Sequence, residues 1–378
     1  MREIFVASDN IFSPLGLSTA ENFAALKKNN SGIKLHTNKA IAPDPFYASI
    51  FTEFPHKANI LEKGEYTRFE LSLLETIHGA IQNTGIHLSD DKTILILSST
   101  KGNISMLESG ESGAGLESRI SLPESARLIA SHFGAAREPI IISHACISGL
   151  LALITGMRIL RWGIYDHAVI AGADMITRFI LSGFQSFQAV SSLPCRPFDA
   201  ERNGVTLGEA SATVVLSTSK NHSHGIRLAG GSTSNDANHI SGPSRTGEEL
   251  SIAMKKAILE SNLSAKNIDF ISAHGTATLY NDEMEAKAIY LAGLEDKPVN
   301  SLKGYYGHTL GAAGLIESII SMQSMRENLF IATAGYSKPG TSRFIQVSDQ
   351  AREGNFRNCL KTASGFGGCN AALVMSRE

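Results

Sequence analysis

Four short segments of this chain carry residue types that can do chemistry together. Ser301-Leu-Lys-Gly-Tyr-Tyr-Gly-His-Thr-Leu-Gly-Ala-Ala-Gly314 packs Lys303, His308 and four glycines into fourteen residues ahead of an apolar helical segment. A lysine is almost never fully buried without a partner. Cys146 follows an apolar strand candidate, Pro139–Ala145, and precedes a helix candidate, Ile147–Trp162. A sulfur at such a turn points into the open end of a sheet, and a helix N-terminus favours the thiolate, which is the nucleophile. The plainer reading is a small buried hydrophobe. His274, in Ser-Ala-His-Gly-Thr-Ala-Thr, leaves a strand candidate for a turn, with Asn281, Asp282 and Glu285 following on a helix start. Such a histidine either faces a cavity or bonds the local backbone. Ser364-Gly-Phe-Gly-Gly-Cys-Asn370 is a loop whose amides can meet a ligand and whose Phe366 can form a movable wall, or else a tight turn between strands.

Two neutral imidazoles, His274 and His308, can each donate an N–H to one carbonyl oxygen and so stabilise an enolate. Lys303 adds positive potential that keeps them unprotonated, and Glu285 balances Lys303 if the two pair. A metal site built from His274, His308 and Glu285 is the competing use of these residues, but none of the three belongs to a local HxxxH or HxH ligand pair.

The elements that must position these groups alternate short apolar strands with helices. Glu3–Ala7, Thr93–Ser98, Pro139–Ala145, His167–Gly172 and Ala212–Leu216 read as strands, and Arg68–Asn83 and Leu150–Trp162 as helices. That order predicts a parallel or mixed sheet covered by helices. The second half repeats it: Ile226–Gly230, Asp269–Ala273 and Pro298–Leu302 match Glu3–Ala7, Thr93–Ser98 and Pro139–Ala145. Cys146 and His308 then occupy related places in two α/β halves, 1–222 and 223–378, with the site at their junction. Lys34–Lys63 and Lys101–Leu122 read as excursions from the core.

Composition fits an ordinary globular protein. Of 378 residues, 43% are apolar and 19% charged, with a formal net charge of −2. There is no Lys/Arg run to suggest nucleic acid or a membrane surface, no secretory h-region and no apolar stretch of membrane-spanning length. Cys146, Cys195, Cys359 and Cys369 lack CxxC spacing, which argues against zinc or a disulfide framework and for a reducing, cytosolic location.

Taken in order, Cys…HGTxT…Lys…GHxxGAAG…GFGGxN resembles the β-ketoacyl-acyl-carrier-protein synthases of the elongating, Cys-His-His type. Arg196-Pro-Phe-Asp-Ala-Glu-Arg-Asn-Gly204 and Phe12-Ser-Pro-Leu-Gly16 extend the resemblance over the whole chain. It implies a thiolase-like fold, two related α/β halves packed as a layered α-β-α-β-α sandwich. It implies that Cys146 takes an acyl chain as a thioester, with the backbone N–H groups of Cys146 and Phe366 as oxyanion hole. His274 and His308 would bind malonyl thioester and promote loss of carbon dioxide, with Lys303 and Glu285 organising them. Gly365, Phe366, Gly367, Thr276 and Thr278 would form the gate and substrate pocket. The implied partners are an acidic acyl carrier protein, met by a basic cluster near Lys63 and Arg68, and a second subunit paired through Pro139–Ala145. That subunit is another copy or a chain-length-factor-like chain. No metal, redox cofactor, nucleic acid or membrane is implied.

The chain departs from the family pattern at Val-Ala-Ser-Asp-Asn10, at Ile147-Ser-Gly149, at Gly208-Glu-Ala-Ser211 and at Ser364, where Phe is usual. No catalytic group is lost, so the departures bear on substrate and point toward secondary metabolites such as polyenes. Two alternatives stay open. A decarboxylating partner subunit usually lacks the Cys, which this chain keeps. A thiolase acting on coenzyme A esters needs a second Cys as base, and Cys369 is the nearest candidate.

Overall fold

The computed structural model describes residues 2–54, 66–108 and 115–378. Five strands build the first half: β1 (Ile4–Phe12), β2 (Thr93–Ser98), β3 (Ile140–Ile142), β4 (His167–Asp174) and β5 (Ala210–Ser217). The second half uses β6 (Ile226–Asn235), β7 (Phe270–Ser272), β8 (Pro298–Asn300), β9 (Gln346–Val347), β10 (Asn358–Gly365) and β11 (Cys369–Arg377). The spatial order is β9-β8-β7-β10-β11-β6-β1-β5-β4-β2-β3. Without the added edge strand β9, each half reads third-second-fourth-fifth-first in its own chain order. The three strand pairs matched in the sequence take the first, second and third ranks. One feature lay outside the sequence reading: β1 and β6 pair antiparallel through Ile4–Leu228 and Phe5–Arg227, joining the two half-sheets into one.

Seven helices matter for the site: α1 (Arg68–Ile81), α2 (Leu122–His132), α3 (Ser148–Arg161), α4 (Arg178–Ser186), α5 (Glu248–Glu260), α6 (Leu279–Leu291) and α7 (Ala313–Glu327). Thr67 and Glu70 form a reciprocal cap that starts α1. Ser121 and Pro123 start α2.

Strand alternation explains the layers. Ile94 and Ile96 of β2 face a central core with α3 and α7, while Leu95 and Leu97 face an outer core with α1 and α2. In the second half Cys359 and Leu373 face the central core, and Leu360 and Val374 face α5 and α6. A sheet covered on both faces needs apolar residues at every position, so Thr93–Ser98 reads as a continuous apolar run. The result is the expected α-β-α-β-α arrangement. Helices α3 and α7 form its middle layer, and they approach closely. A methyl group on Gly149 would lie 2.7 Å from the Gly311 carbonyl, and one on Gly314 would collide with the Leu150 backbone. The two helices that follow Cys146 and His308 are therefore locked at their N-terminal ends, which brings the two halves of the site together.

Part of the first excursion folds as a three-stranded sheet, Lys34–His36, Phe46–Ser49 and Leu207–Gly208. Among the described residues no helix is long and apolar enough to cross a membrane.

Candidate active site

Cys146 sits in the turn between β3 and α3. The preceding Ala145 has φ +45°, a left-handed conformation that costs an L-residue about 1–2 kcal/mol. Ser148 holds that turn: its hydroxyl donates to the Ala145 carbonyl (2.6 Å) and accepts from the His144 N–H (2.7 Å). The sulfur is buried, and the nearby backbone N–H of Phe366 favours its charged form. Burial pushes the thiol up to about 12, and nearby Cys369 adds to this, while Lys303 pulls the other way. Desolvation thus opposes the thiolate that a helix N-terminus favours.

His274 leaves β7 at a turn stapled by Glu285 of α6. The carboxylate accepts from the N–H groups of His274 (2.8 Å) and Gly275 (2.6 Å), from the Asn281 amide (2.9 Å) and from the Thr362 hydroxyl (3.2 Å). Asp282 holds the next stretch, accepting from Phe198 N–H (2.6 Å) and Ala277 N–H (3.2 Å). Burial raises Asp282 to about 7. It ties the Arg196–Gly204 segment to the histidine loop.

Lys303 does not pair with Glu285. Its ammonium lies 2.7 Å from Glu317 of α7, donates to the His274 carbonyl (2.5 Å) and sits 3.2 Å from His274 Nδ1. Glu285 is committed to backbone donors, so Glu317 takes the lysine. An ammonium at Nδ1 makes that nitrogen an acceptor and leaves the imidazole proton on Nε2, free to meet a substrate. His308 is pinned through its backbone, donating to the Thr206 carbonyl (2.7 Å) and accepting from Gly208 N–H (3.1 Å). Its ring meets that of His274 edge-on, with centroids 5.1 Å apart. Burial, then the charge of Lys303, holds both histidines well below their ordinary range, so both are neutral at pH 7.

One donor atom each from Cys146, His274 and His308 lies within 4.8 Å of the others, all three residues buried. A cysteine and two histidines suit a soft divalent ion by type. The ammonium groups of Lys303 and Lys361, both fully buried beside these rings, oppose one, and Glu285 is turned to the backbone and takes no part.

These groups open onto a cavity of about 430 Å³, lined among others by Thr276, Thr278, Gly365 and Phe366. The Thr276 and Thr278 hydroxyls are 2.9 Å apart. Phe366 stacks on Phe184 (5.7 Å) and meets Phe187 edge-on (5.5 Å) at the cavity wall. Gly367 is corrected from pocket to pivot. It has φ +85°, does not line the cavity, and donates its N–H to the Ile240 carbonyl (2.7 Å). Ser364 closes the loop by donating to Asn370 (2.7 Å). The Cys369 thiol donates to the Phe366 carbonyl (3.4 Å) and is outside the cavity lining, which removes it as a base. Arg68 is half exposed, with its guanidinium 3.0 Å from buried Glu209 and over the Phe54 ring. Lys63 lies outside the described residues.

Sequence reasoning missed Glu317, Lys361 and Asp174. Asp174 ends β4 and accepts from Gly311 N–H (2.7 Å), fixing the segment after His308. The signal was present in each case: a charged residue inside an apolar helix or strand has to find a partner.

The beta-ketoacyl synthase N-terminal domain matches residues 1–222, and the C-terminal domain of the same family matches residues 226–337. The 3-oxoacyl-[acyl-carrier-protein] synthase 2 of Vibrio harveyi is 26% identical over 410 residues, covering 100% of this chain and 99% of that protein. A ketosynthase in complex with its chain length factor from Xenorhabdus doucetiae shares the fold at a TM-score of 0.86 and 24% identity, over 100% of this chain and 98% of that one. A type II polyketide ketosynthase in complex with its acyl carrier protein does so at 0.86 and 22%, over 100% and 99%. With both domains of one family matched on the halves that carry Cys146 and the two histidines, the chain belongs to the beta-ketoacyl synthase family of condensing acyltransferases.

Proposed function

We propose that this enzyme extends an acyl chain held on Cys146 by decarboxylative Claisen condensation with malonyl-acyl carrier protein, in fatty-acid or polyketide synthesis. The observation that carries this is the Cys146–His274–His308 cluster, with a backbone N–H at the sulfur and a proton on His274 Nε2. In this reading residues 1–222 supply the nucleophile and 223–378 both histidines.

The sequence of steps follows from the groups. The Cys146 sulfur attacks the acyl thioester, and the carrier thiol leaves with the proton. The N–H groups of Cys146 and Phe366 receive the oxyanion. Covalent capture splits one difficult reaction into two. The malonyl thioester oxygen then accepts from His274 and His308, the bond to the carboxylate breaks, and its electron pair forms the enolate. The enolate carbon attacks the Cys146 thioester and the sulfur departs, to be reprotonated from solvent. Phe366 separates the two half-reactions by guarding the cavity. Glu285 and Asp282 fix the His274 loop, and Lys303 orients the ring.

The partners in this reading are acyl- and malonyl-loaded carrier protein and a second thiolase-fold subunit. Strand β3 supports the latter: it is an unpaired sheet edge carrying three half-exposed isoleucines. Four unpaired cysteines suit a cytosolic enzyme.

Intact-protein mass spectrometry after incubation with a panel of acyl-carrier thioesters tests the reading. An adduct mapped to Cys146 is expected, and the chain that loads best names the substrate class. Acylation mapped to any other residue would overturn the nucleophile assignment.

A further inference from the structure

Lys361 lies in the middle of β10 with its side chain fully buried. Its ammonium reaches the carbonyls of Ser272 (3.1 Å) and Ala273 (3.2 Å), the two residues before His274. It also lies 2.6 Å from Glu317. At that distance the contact is a close, charge-assisted ion pair. The other Glu317 oxygen holds Lys303, which in turn meets the His274 carbonyl and Nδ1. One carboxylate therefore faces two ammonium groups, and the Glu285 carboxylate, close enough to feel both lysines, brings the buried cluster to a formal charge of zero.

Two lysines and two carboxylates thus share one buried cluster, and a buried charge is expensive unless it is held by partners. The remaining groups around the two rings are the Cys146 thiol and Asp282, one turn from Glu285 on α6. Glu285 accepts from the His274 and Gly275 amides, whereas Lys361 donates to the carbonyls of the two residues before His274. The backbone on either side of His274 is therefore held by charges of opposite sign.

We propose that Lys361 is a positioning residue of the condensing site. It anchors Glu317 and the end of β7 so that Lys303 stays on His274 Nδ1, and its charge keeps a second proton off the imidazole pair. The inference rests on the reading of His274 and His308 as the decarboxylating pair. Its consequence is a wider pH range in which both imidazoles stay neutral and His274 Nδ1 keeps its contact with the Lys303 ammonium, because imidazolium forms only in stronger acid.

The test compares wild type, Lys361→Met and Lys361→Met/Glu317→Gln. The single variant removes one positive charge; the double removes one of each sign and leaves the total charge of the cluster as in wild type. Titration midpoints of His274 and His308 are read by NMR of 13C-histidine-labelled protein, assigned with His274→Gln and His308→Gln. Removing one unit charge that acts on a buried ring through an effective dielectric near 20 corresponds to roughly one to two pH units. The midpoints are therefore expected to rise by that amount in Lys361→Met and to return toward wild type in the double variant. Unchanged midpoints in folded Lys361→Met would overturn the proposal, as would a double variant shifted as far as the single.

If Lys361→Met does not fold, the double variant decides alone. Wild-type midpoints support the proposal. A further fall, expected if only the Glu317 charge acts on the rings, overturns it. Malonyl-thioester decarboxylation gives the second readout, with its acid limb moving upward alongside the midpoints. A wild type that decarboxylates at no pH removes the assignment of the histidine pair, while the midpoints still judge Lys361.

Discussion

Replacing Glu285 by Gln should damage the site through geometry more than through charge. All four partners of this carboxylate are donors: two backbone N–H groups, the Asn281 amide and the Thr362 hydroxyl. A glutamine keeps one accepting oxygen and turns an NH2 toward the others. At least one buried backbone N–H then faces a donor, at about 1–3 kcal/mol, and the remaining bonds lose charge assistance at about 1 kcal/mol each. Relief works the other way, because burial holds the Glu285 carboxyl above its ordinary range and a neutral amide escapes that desolvation. The donors decide the sign, since a carboxylate relieved of its charge still leaves them without an acceptor. A net loss of about 3 kcal/mol is expected, lowering Tm by about 5 °C. The His274 loop should shift, and a displacement of about 1 Å costs roughly 100-fold in rate. The assay is malonyl-thioester decarboxylation beside a thermal melt. A Glu285→Gln enzyme that melts within 1 °C of wild type and decarboxylates within twofold of it would refute the stapling argument.

Three further outcomes are expected. With Cys146 pushed up to about 12, only about one part in ten thousand is thiolate at pH 8, so iodoacetamide should label it tenfold faster per pH unit through pH 10; a plateau below pH 9 would contradict the burial argument. His274 and His308 titrate lower in the folded than in the unfolded chain, so the unfolded chain binds more protons below pH 6.5 and stability falls on acidification. Between pH 6.5 and 5.5 the pair should cost about 2 kcal/mol, and chemical denaturation of a His274→Gln/His308→Gln variant should lack that increment. Gly314→Ala forces a methyl against the Leu150 backbone and should cost about 1–3 kcal/mol with a parallel loss of acylation; wild-type stability would mean that α3 and α7 can separate without harm.

The residues that touch substrate in the proposed reaction were legible because they sit at chain positions with local meaning. Cys146 and His274 each follow a strand at a turn, His308 lies just ahead of a helix, and the glycines around them mark close backbone approach. The repeated strand order was legible for a similar reason: strands buried on both faces appear as short continuous apolar runs. Pairing between charges was not. Glu285 and Glu317 both follow a site histidine in the chain, and the sequence reading matched Lys303 to Glu285 although Glu317 is the nearer along the chain. The desolvation of Cys146 was not legible because burial depends on what covers the sulfur.

Sequence by itself marked Cys146, the two histidines and the Phe366 loop as site candidates, through local signals joined to the resemblance to the β-ketoacyl synthases, and it showed the repeated strand order. Tertiary structure decided which acid serves which base. Glu285 went to the backbone of the His274 turn and Glu317 to the lysines. Lys361, remote in sequence from both histidines, came to lie behind them. The single sheet formed by β1 and β6 was also decided there. The physical reason is common to both: hydrogen bonds and ion pairs between distant segments depend on how helices α3 and α7 bring the two halves into register, and no stretch of sequence encodes that distance.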